Sequence, residues 1–432
     1  MPNNSTKDAG WRSSLAGRRQ MLVVTACIGS LGLLIAACSG TTNQAHAKAA
    51  AARAPIAQLT INPASGINNA KPSQGVTVAA SHARITTVSV TRGSQPVSGR
   101  LNSSGTMWRS NWPLQTAGKY TVTATAKNSA GKAFTKTSTF RTLRPARTAR
   151  VATLLGNQAY GVGIPIMLTF NHPVKYKAAV ERAISITTSK PVVGAWYWDG
   201  NKALDFRPRT YWPQHTQVKF VAHLAGLQVA PGVYGSNNLS QSFHVGASLI
   251  AVVSTRTHYA KIYYKNKLFG NWPVSTGMPG DDTANGTYLT IEKANPTLMS
   301  GPGYTNDPVP YAVRFTWSGN YMHDAYWSVA QQGYTNVSHG CVNMSPAHAT
   351  VYYNLAVPGD PVTVTGSPVA GYWGDGWTEW FLSWQHLVAG SATHEAVQAG
   401  PSGSKFVPAN TVPALTHIGV VHGSKPGNYL AG

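Results

Sequence analysis

Apolar and polar residues alternate in short runs along most of the chain. Leu59 to Asn62, Val76 to Ala80, Ile85 to Val90, Tyr120 to Ala126 and Phe134 to Phe140 set apolar residues against Thr, Ser or Lys, with Gly and Asn-Ser clusters between the runs. A period of two marks half-buried strands, and this turn spacing predicts an antiparallel sandwich over residues 55–145. Pro165 to Phe170, Ile184 to Thr188, Ala195 to Trp198, Ala203 to Phe206 and Gln217 to Ala222 repeat the theme over 146–245. Asp199-Gly200-Asn201 supplies a hairpin turn there, and Lys175 to Arg182 a short helix. From 246 the strand-like runs are Leu249 to Ser254, Lys261 to Tyr264, Val313 to Trp317, Tyr321 to His323 and Val362 to Val364. Ser345-Pro346 is a helix start, with Ser as cap and Pro in the first turn, and the helix runs to about Leu355. Residues 246–367 therefore predict a β-rich domain with one short helix. Over 368–392, Trp377, Trp380 and Trp384 fall at i, i+3 and i+7, one face of a helix used for packing. Residues 393–432 have little pattern and predict a flexible tail.

Composition narrows this picture. At roughly 150 residues per domain, the 432 residues make about three domains. With 43% hydrophobic residues, 13 Trp and 19 Tyr, the chain has material for real cores and is not disordered. The 42 Gly and 27 Pro suit a turn-rich, mainly β protein, and the composition of a coiled coil is missing. Asp and Glu number only 13, which disfavours carboxylate-rich metal sites. Lys and Arg number 35, giving a net charge of +22. No Asp or Glu occurs from residue 39 to residue 180, yet eleven Lys or Arg lie between 55 and 145. That skew fits an anionic partner, a polymer or lipid headgroups, although high pI can also serve solubility alone. Nucleic acid would satisfy the same electrostatics, but an exported chain does not meet it routinely.

The N-terminus supports export. Lys7, Arg12, Arg18 and Arg19 precede an uncharged apolar stretch from Met21 to Ala37, which ends in Ile35-Ala36-Ala37-Cys38. Residues 1–38 read as an export signal whose small residues before Cys38 resemble a bacterial lipobox, in which the cysteine is lipidated. An uncleaved anchor and ordinary secretion are the alternatives. Residues 39–54 read as a tether. Of the three cysteines, Cys27 lies in the apolar stretch and Cys38 at the lipidation position, so Cys341 is the one thiol left in the folded region. An unpaired thiol in an oxidising compartment is a liability unless it is buried or used.

Residues 321–345 read YMHDAYWSVAQQGYTNVSHGCVNMS. A nucleophilic cysteine needs a base, an orienter for that base and N–H donors for an oxyanion. Cys341 follows Gly340, which permits close approach of backbone to substrate. His323, eighteen residues upstream, is the candidate base. His339 shapes the loop or the oxyanion site, and Ser338 and Asn343 can hold the loop by hydrogen bonds. A buried structural cysteine among scattered histidines is the bland alternative. A metal site from His323, His339, Cys341 and His348 is another, although this spacing matches no zinc pattern.

The segment is similar to the signature of the L,D-transpeptidases (the YkuD domain), a His, a spacer, then Ser/Thr-His-Gly-Cys-x-Asn. Here it is His323, then Ser338-His339-Gly340-Cys341-Val342-Asn343. Val274-Ser275-Thr276-Gly277 and Thr283 to Tyr288 are also similar to that family. Tyr304 resembles its lid tyrosine, whose hydroxyl faces the acyl site, and Trp327 its Trp just after the His. The Trp-rich end resembles the C-terminal subdomain of the actinobacterial members, and two immunoglobulin-like domains behind a lipobox fit that subgroup. The resemblance implies 3→3 cross-linking of peptidoglycan tetrapeptide stems through a thioester on Cys341, with no cofactor and no metal. It also implies hydrolysis when water is the acceptor, and acylation by carbapenems. Asp324 departs from the family, where Ser can follow the His. There the backbone carbonyl of this residue orients the His, while a carboxylate beside His323 would raise its pKa. A catalytically silent wall-binding lipoprotein remains the reading from another class.

Overall fold

The structure is a computed structural model that describes residues 56–301 and 303–411. The expected signal segment with Cys38 and the tether lie outside these residues, as does the end of the expected tail. The first block is the sandwich that the alternation predicts. Gln58–Asn62, Thr77–Ser81, Met107–Ser110 and Gly99–Leu101 form one sheet, and Gln95–Pro96, Ala83–Arg92, Lys119–Asn128 and Ala133–Arg141 the other. Inward positions such as Val78, Val122, Ala124 and Phe140 are fully buried, while the Thr, Lys and Arg between them face out.

The second block is also a sandwich. One sheet contains Ile166–Phe170, Ala203–Pro208 and Val192–Asp199; the other contains Leu239–Val245, Gln217–Ala222 and Ile184–Thr188. Gly200, at φ +61°, makes the expected hairpin turn. Lys177–Arg182 is the expected short helix. The two sandwiches meet through Ser73, whose hydroxyl donates to Gly226 O at 3.1 Å and accepts from Gln228 N–H at 2.8 Å, and through Trp112 stacked on His223 at 3.6 Å.

The flexible tail is corrected in part. Glu395–Gly400 and Gly403–Pro408 form a hairpin that adds to the Val192–Asp199 edge, with Val192 opposite Ala399. Ala396, Val397 and Ala399 bury against the second sandwich, and the edge strand's free backbone groups gain partners. The Trp segment is corrected too. Leu382 is extended at ψ 133°, and Ser383 caps a new helix, Trp384–Ala389, so Trp380 and Trp384 do not share one helix. Packing still rules the segment: Trp380 is fully buried, donates to Gly163 O at 2.7 Å and lies under the Arg207 guanidinium at 4.3 Å.

The third block packs two sheets around one core. The five-stranded sheet runs Lys267–Pro273, Tyr259–Tyr264, Leu249–Ser254, Pro361–Thr365, Gly286–Leu289; the four-stranded one runs Glu292–Ala294, Ala312–Arg314, Tyr321–Asp324, Val342–Met344. Met322, Val342, Met344 and Tyr352 are buried in the core. Helix Pro346–Leu355 starts as expected, with the Ser345 hydroxyl accepting from His348 N–H at 3.4 Å.

Candidate active site

Strand pairing sets the strand of the predicted base beside the strand that follows the predicted nucleophile. Tyr321–Asp324 lies parallel to Val342–Met344, with Met322 opposite Val342 and His323 opposite Asn343. Side chains alternate faces along a strand, so Asn343 and His323 project to one face, and Cys341, two residues before Asn343, continues that alternation. The Cys341 thiol points to Gly319 O at 3.8 Å. It is the one free cysteine among the described residues and keeps partial exposure.

The loop before Cys341 is tied down by its own polar residues. The Ser338 hydroxyl donates to Cys341 O at 2.6 Å and accepts from Gly340 N–H at 3.2 Å. Gly340 has φ +112°, and a Cβ there would lie 2.4 Å from Asn320 Nδ2, so only glycine fits. Thr283 Oγ1 donates to Gly340 O at 2.8 Å and accepts from Gly277 N–H at 2.9 Å. Asn343 N–H donates to Ser275 O at 2.8 Å, and its side chain donates to Ser328 Oγ at 2.9 Å. His339 is exposed on this loop, with its ring 5.5 Å from that of Tyr304. Tyr304 opens the second strand of a hairpin, Thr297–Gly301 with Tyr304–Val309. Trp327 is 53% exposed, and its ring lies along His323 at 5.9 Å and 28°.

Burial sets the electrostatics. His323 is 4% exposed, and its Nδ1 lies 2.7 Å from Asp324 O. A carbonyl only accepts, so Nδ1 carries the proton and Nε2 is the basic nitrogen. Burial pushes the His323 pKa down to about 4, against hydrogen bonds to the Asp324 carbonyl and the Asn343 side chain. Burial likewise pushes the Cys341 thiol up to about 11, against a backbone hydrogen bond at Tyr321. At neutral pH the site therefore holds a thiol and a neutral imidazole, the form that can accept a proton. Tyr304 is held protonated by burial first and then by Cys341, Asp307 and Asp281. Its hydroxyl thus lies within electrostatic reach of the thiol.

The Asp324 group in contact with His323 is its backbone carbonyl, and the His323 pKa is lowered by burial rather than raised by the neighbouring carboxylate. The Asp324 carboxyl is buried with Oδ1 unpartnered, and burial raises its own pKa. His348 stands apart from this cluster, stacked flat on Trp272 at 4.6 Å. Sequence reasoning missed Asn336. Its Oδ1 accepts from Thr276 N–H at 3.1 Å and Thr276 Oγ1 at 2.8 Å, and its Nδ2 donates to Thr255 O at 2.9 Å. It also missed the roles of Thr283 and Asn320. The available signal for Asn336 was the mostly polar run Thr335-Asn336-Val337-Ser338, shortly before the nucleophile.

Residues 248–364 match the family model of the L,D-transpeptidase catalytic domain, and residues 67–228 match that of a bacterial Ig domain. L,D-transpeptidase 2 of Mycobacterium tuberculosis (strain CDC 1551 / Oshkosh) is 33% identical over 311 residues, which cover 69% of this chain and 76% of that protein. L,D-transpeptidase 5 of Mycobacterium tuberculosis (strain ATCC 25618 / H37Rv) is 32% identical over 373 residues, covering 83% of this chain and 82% of that protein. Among solved structures, the LD transpeptidase LdtMt1 in complex with imipenem is 33% identical, with a TM-score of 0.42 over 51% of this chain and 100% of that one.

Proposed function

This chain belongs to the L,D-transpeptidase family, and on that premise we propose that it joins peptidoglycan stems by 3→3 cross-links through a thioester on Cys341. His323 Nε2 takes the thiol proton as the sulfur attacks the carbonyl between the third residue and the terminal D-alanine of a tetrapeptide stem. Backbone N–H groups around Cys341, with His339 and the protonated Tyr304 hydroxyl, stabilise the oxyanion. The C–N bond breaks, the proton passes from His323 to the leaving amine, and D-alanine departs. The side-chain amine of a neighbouring stem then attacks the thioester and releases the thiol. Gly340 lets the donor approach the backbone, Ser338 and Asn343 hold the loop, Trp327 borders the stem, and the Asp324 carbonyl orients the base. This chemistry calls for no cofactor or metal.

The observation that supports this most is the combination of a partly exposed lone thiol on a locked loop and, on the adjoining strand, a neutral buried imidazole oriented through Nδ1. Intact-mass measurement after mixing with a tetrapeptide stem tests it. The expected result is a thioester adduct with loss of D-alanine, followed by a cross-linked dimer. A tripeptide product without dimer would mean that water is the acceptor, a carboxypeptidase. No adduct at all would favour a silent wall-binding protein.

The location is part of the proposal. Export with lipidation at Cys38 would anchor the chain to the outer face of the membrane, with residues 39–54 as the tether and the basic first sandwich beside anionic wall polymers. Labelling with a radioactive fatty acid, lost in Cys38→Ala, checks the anchor.

A further inference from the structure

The first sandwich carries a surface that acyl transfer does not use. Thr121, Thr123 and Thr125 point outward from the strand Lys119–Asn128, and each is opposed on both neighbouring strands by another Thr or Ser. Thr123, for example, lies between Ser89 and Thr137. The result is a hydroxyl grid on Ala83–Arg92, Lys119–Asn128 and Ala133–Arg141, with every position exposed or half-exposed.

Cations close both ends of the grid. Lys119 and Arg141 stand directly opposite each other at one end, and Lys127 and Arg84 at the other, all four exposed. Like charges directly opposed across a sheet repel and destabilise it. A nearby carboxylate would relieve that repulsion, yet residues 39–180 contain none. Two such uncompensated pairs framing one face leave a strong unmet demand for anions. The second sandwich docks elsewhere, through Ser73 and Trp112, so this face stays open.

We propose that this face binds a linear anionic polysaccharide of the cell wall, with the end pairs holding its anionic groups and the hydroxyl grid exchanging hydrogen bonds with its sugar hydroxyls. The proposal rests on the wall-facing location above. A lipid surface fits less well, because no large apolar side chain projects from the grid to enter beneath headgroups; the exposed large apolar residues of this sandwich are Ile56, Ile67 and Leu101, outside these three strands.

The full chain in neutral detergent micelles, titrated with dextran sulfate, neutral dextran, or micelles doped with phosphatidylglycerol, tests this. Dextran sulfate is expected to bind and neutral dextran not to bind, with affinity falling steeply with salt. Lys119→Gln with Arg141→Gln, or Arg84→Gln with Lys127→Gln, is expected to weaken dextran sulfate binding about tenfold, whereas Lys175→Gln with Lys202→Gln in the second sandwich costs less than about twofold. Thr123→Val with Thr137→Val keeps the charge and is expected to weaken it about threefold. Equal losses in the control pair would overturn the site. Phosphatidylglycerol micelles that displace dextran sulfate, with no effect of the Thr pair, would overturn the polysaccharide in favour of a membrane. Carbapenem acylation of Cys341, followed in the same samples, separates the two readings: its failure with dextran sulfate binding intact would count against acyl transfer alone.

Discussion

Cys341 and His323 are both held uncharged, and that fixes how the residue pair is to be tested. A thiol pushed up to about 11 does not ionise in the free protein at neutral pH. Absorbance at 240 nm should therefore show no thiolate at pH 7, and a thiolate signal there would refute a neutral pair. His323, pushed down to about 4, stays in its proton-accepting form far below the ordinary histidine value. The rate of carbapenem acylation should accordingly hold through pH 6 and fall only as pH drops toward 4; an acid limb centred near 6.5 would contradict the burial argument. Cys341→Ala removes the nucleophile and should cut acylation and transfer by more than about a thousandfold. Its thermal unfolding should shift by no more than about 1 kcal/mol in stability, since it deletes only one sulfur at a partly exposed position. Much of this site was legible because Ser338 to Asn343 is one contiguous segment, a loop running into the strand Val342–Met344, whose chemistry follows from residue types. Asn336 and Asn320 were not legible, because their partners Thr276, Thr255 and Thr316 come from distant loops or a tight turn that only the folded chain brings close.

Among the elements, the short helix Lys177–Arg182 carries the least expected contact. Glu181 is fully buried, and its carboxylate accepts from Trp198 Nε1 at 2.8 Å, Ser391 Oγ at 2.7 Å, Ala392 N–H at 2.7 Å, and Thr393 N–H and Oγ1 at 3.2 and 2.8 Å. One side chain thereby pins the turn that leads from helix Trp384–Ala389 into the C-terminal hairpin. Glu181→Ala strips these buried donors of their acceptor and should cost on the order of 3 to 5 kcal/mol, read by denaturant unfolding, with protease cleavage appearing near residue 390. A loss under about 1 kcal/mol would show the clamp to be idle. The strands of the first sandwich were legible because Val, Ala, Tyr and Phe alternate with Thr, Ser or Lys over long runs, and those of the second because short apolar runs lie between turn residues. The hairpin Glu395–Pro408 was not, because its six-residue strands EAVQAG and GSKFVP carry little regular alternation of their own and are fixed by the edge they cover. The Trp stripe misled for the reverse reason: its spacing is helical, but the Ser383 cap breaks the segment.

Over the whole molecule, the second sandwich and the catalytic block are joined along a seam. Gly161 N–H donates to Pro358 O at 2.8 Å, Gly163 N–H to Gly359 O at 2.9 Å, and Arg207 Nη2 to Leu382 O at 2.9 Å. Glu379 and Asp205 lie buried in this seam with Arg207. Burial raises the Glu379 pKa from 4.5 to about 7, with Arg207 opposing the shift and Asp199 adding to it. Asp205 is raised as well, by burial first and then by Glu379. A carboxyl whose folded value is raised holds its proton more tightly in the folded chain than in the unfolded one. Its contribution is therefore full below the ordinary Glu value near 4.5 and is lost as pH climbs through about 7. The melting temperature of the chain should fall between pH 5 and pH 8. Glu379→Gln, which stays neutral, should flatten that slope and be more stable than the parent at pH 8 by about 1 to 3 kcal/mol, with little difference at pH 5. If the parent is instead more stable than Glu379→Gln at pH 8, the carboxylate is ionised and paired with Arg207, and the seam is held by that ion pair rather than by a buried proton.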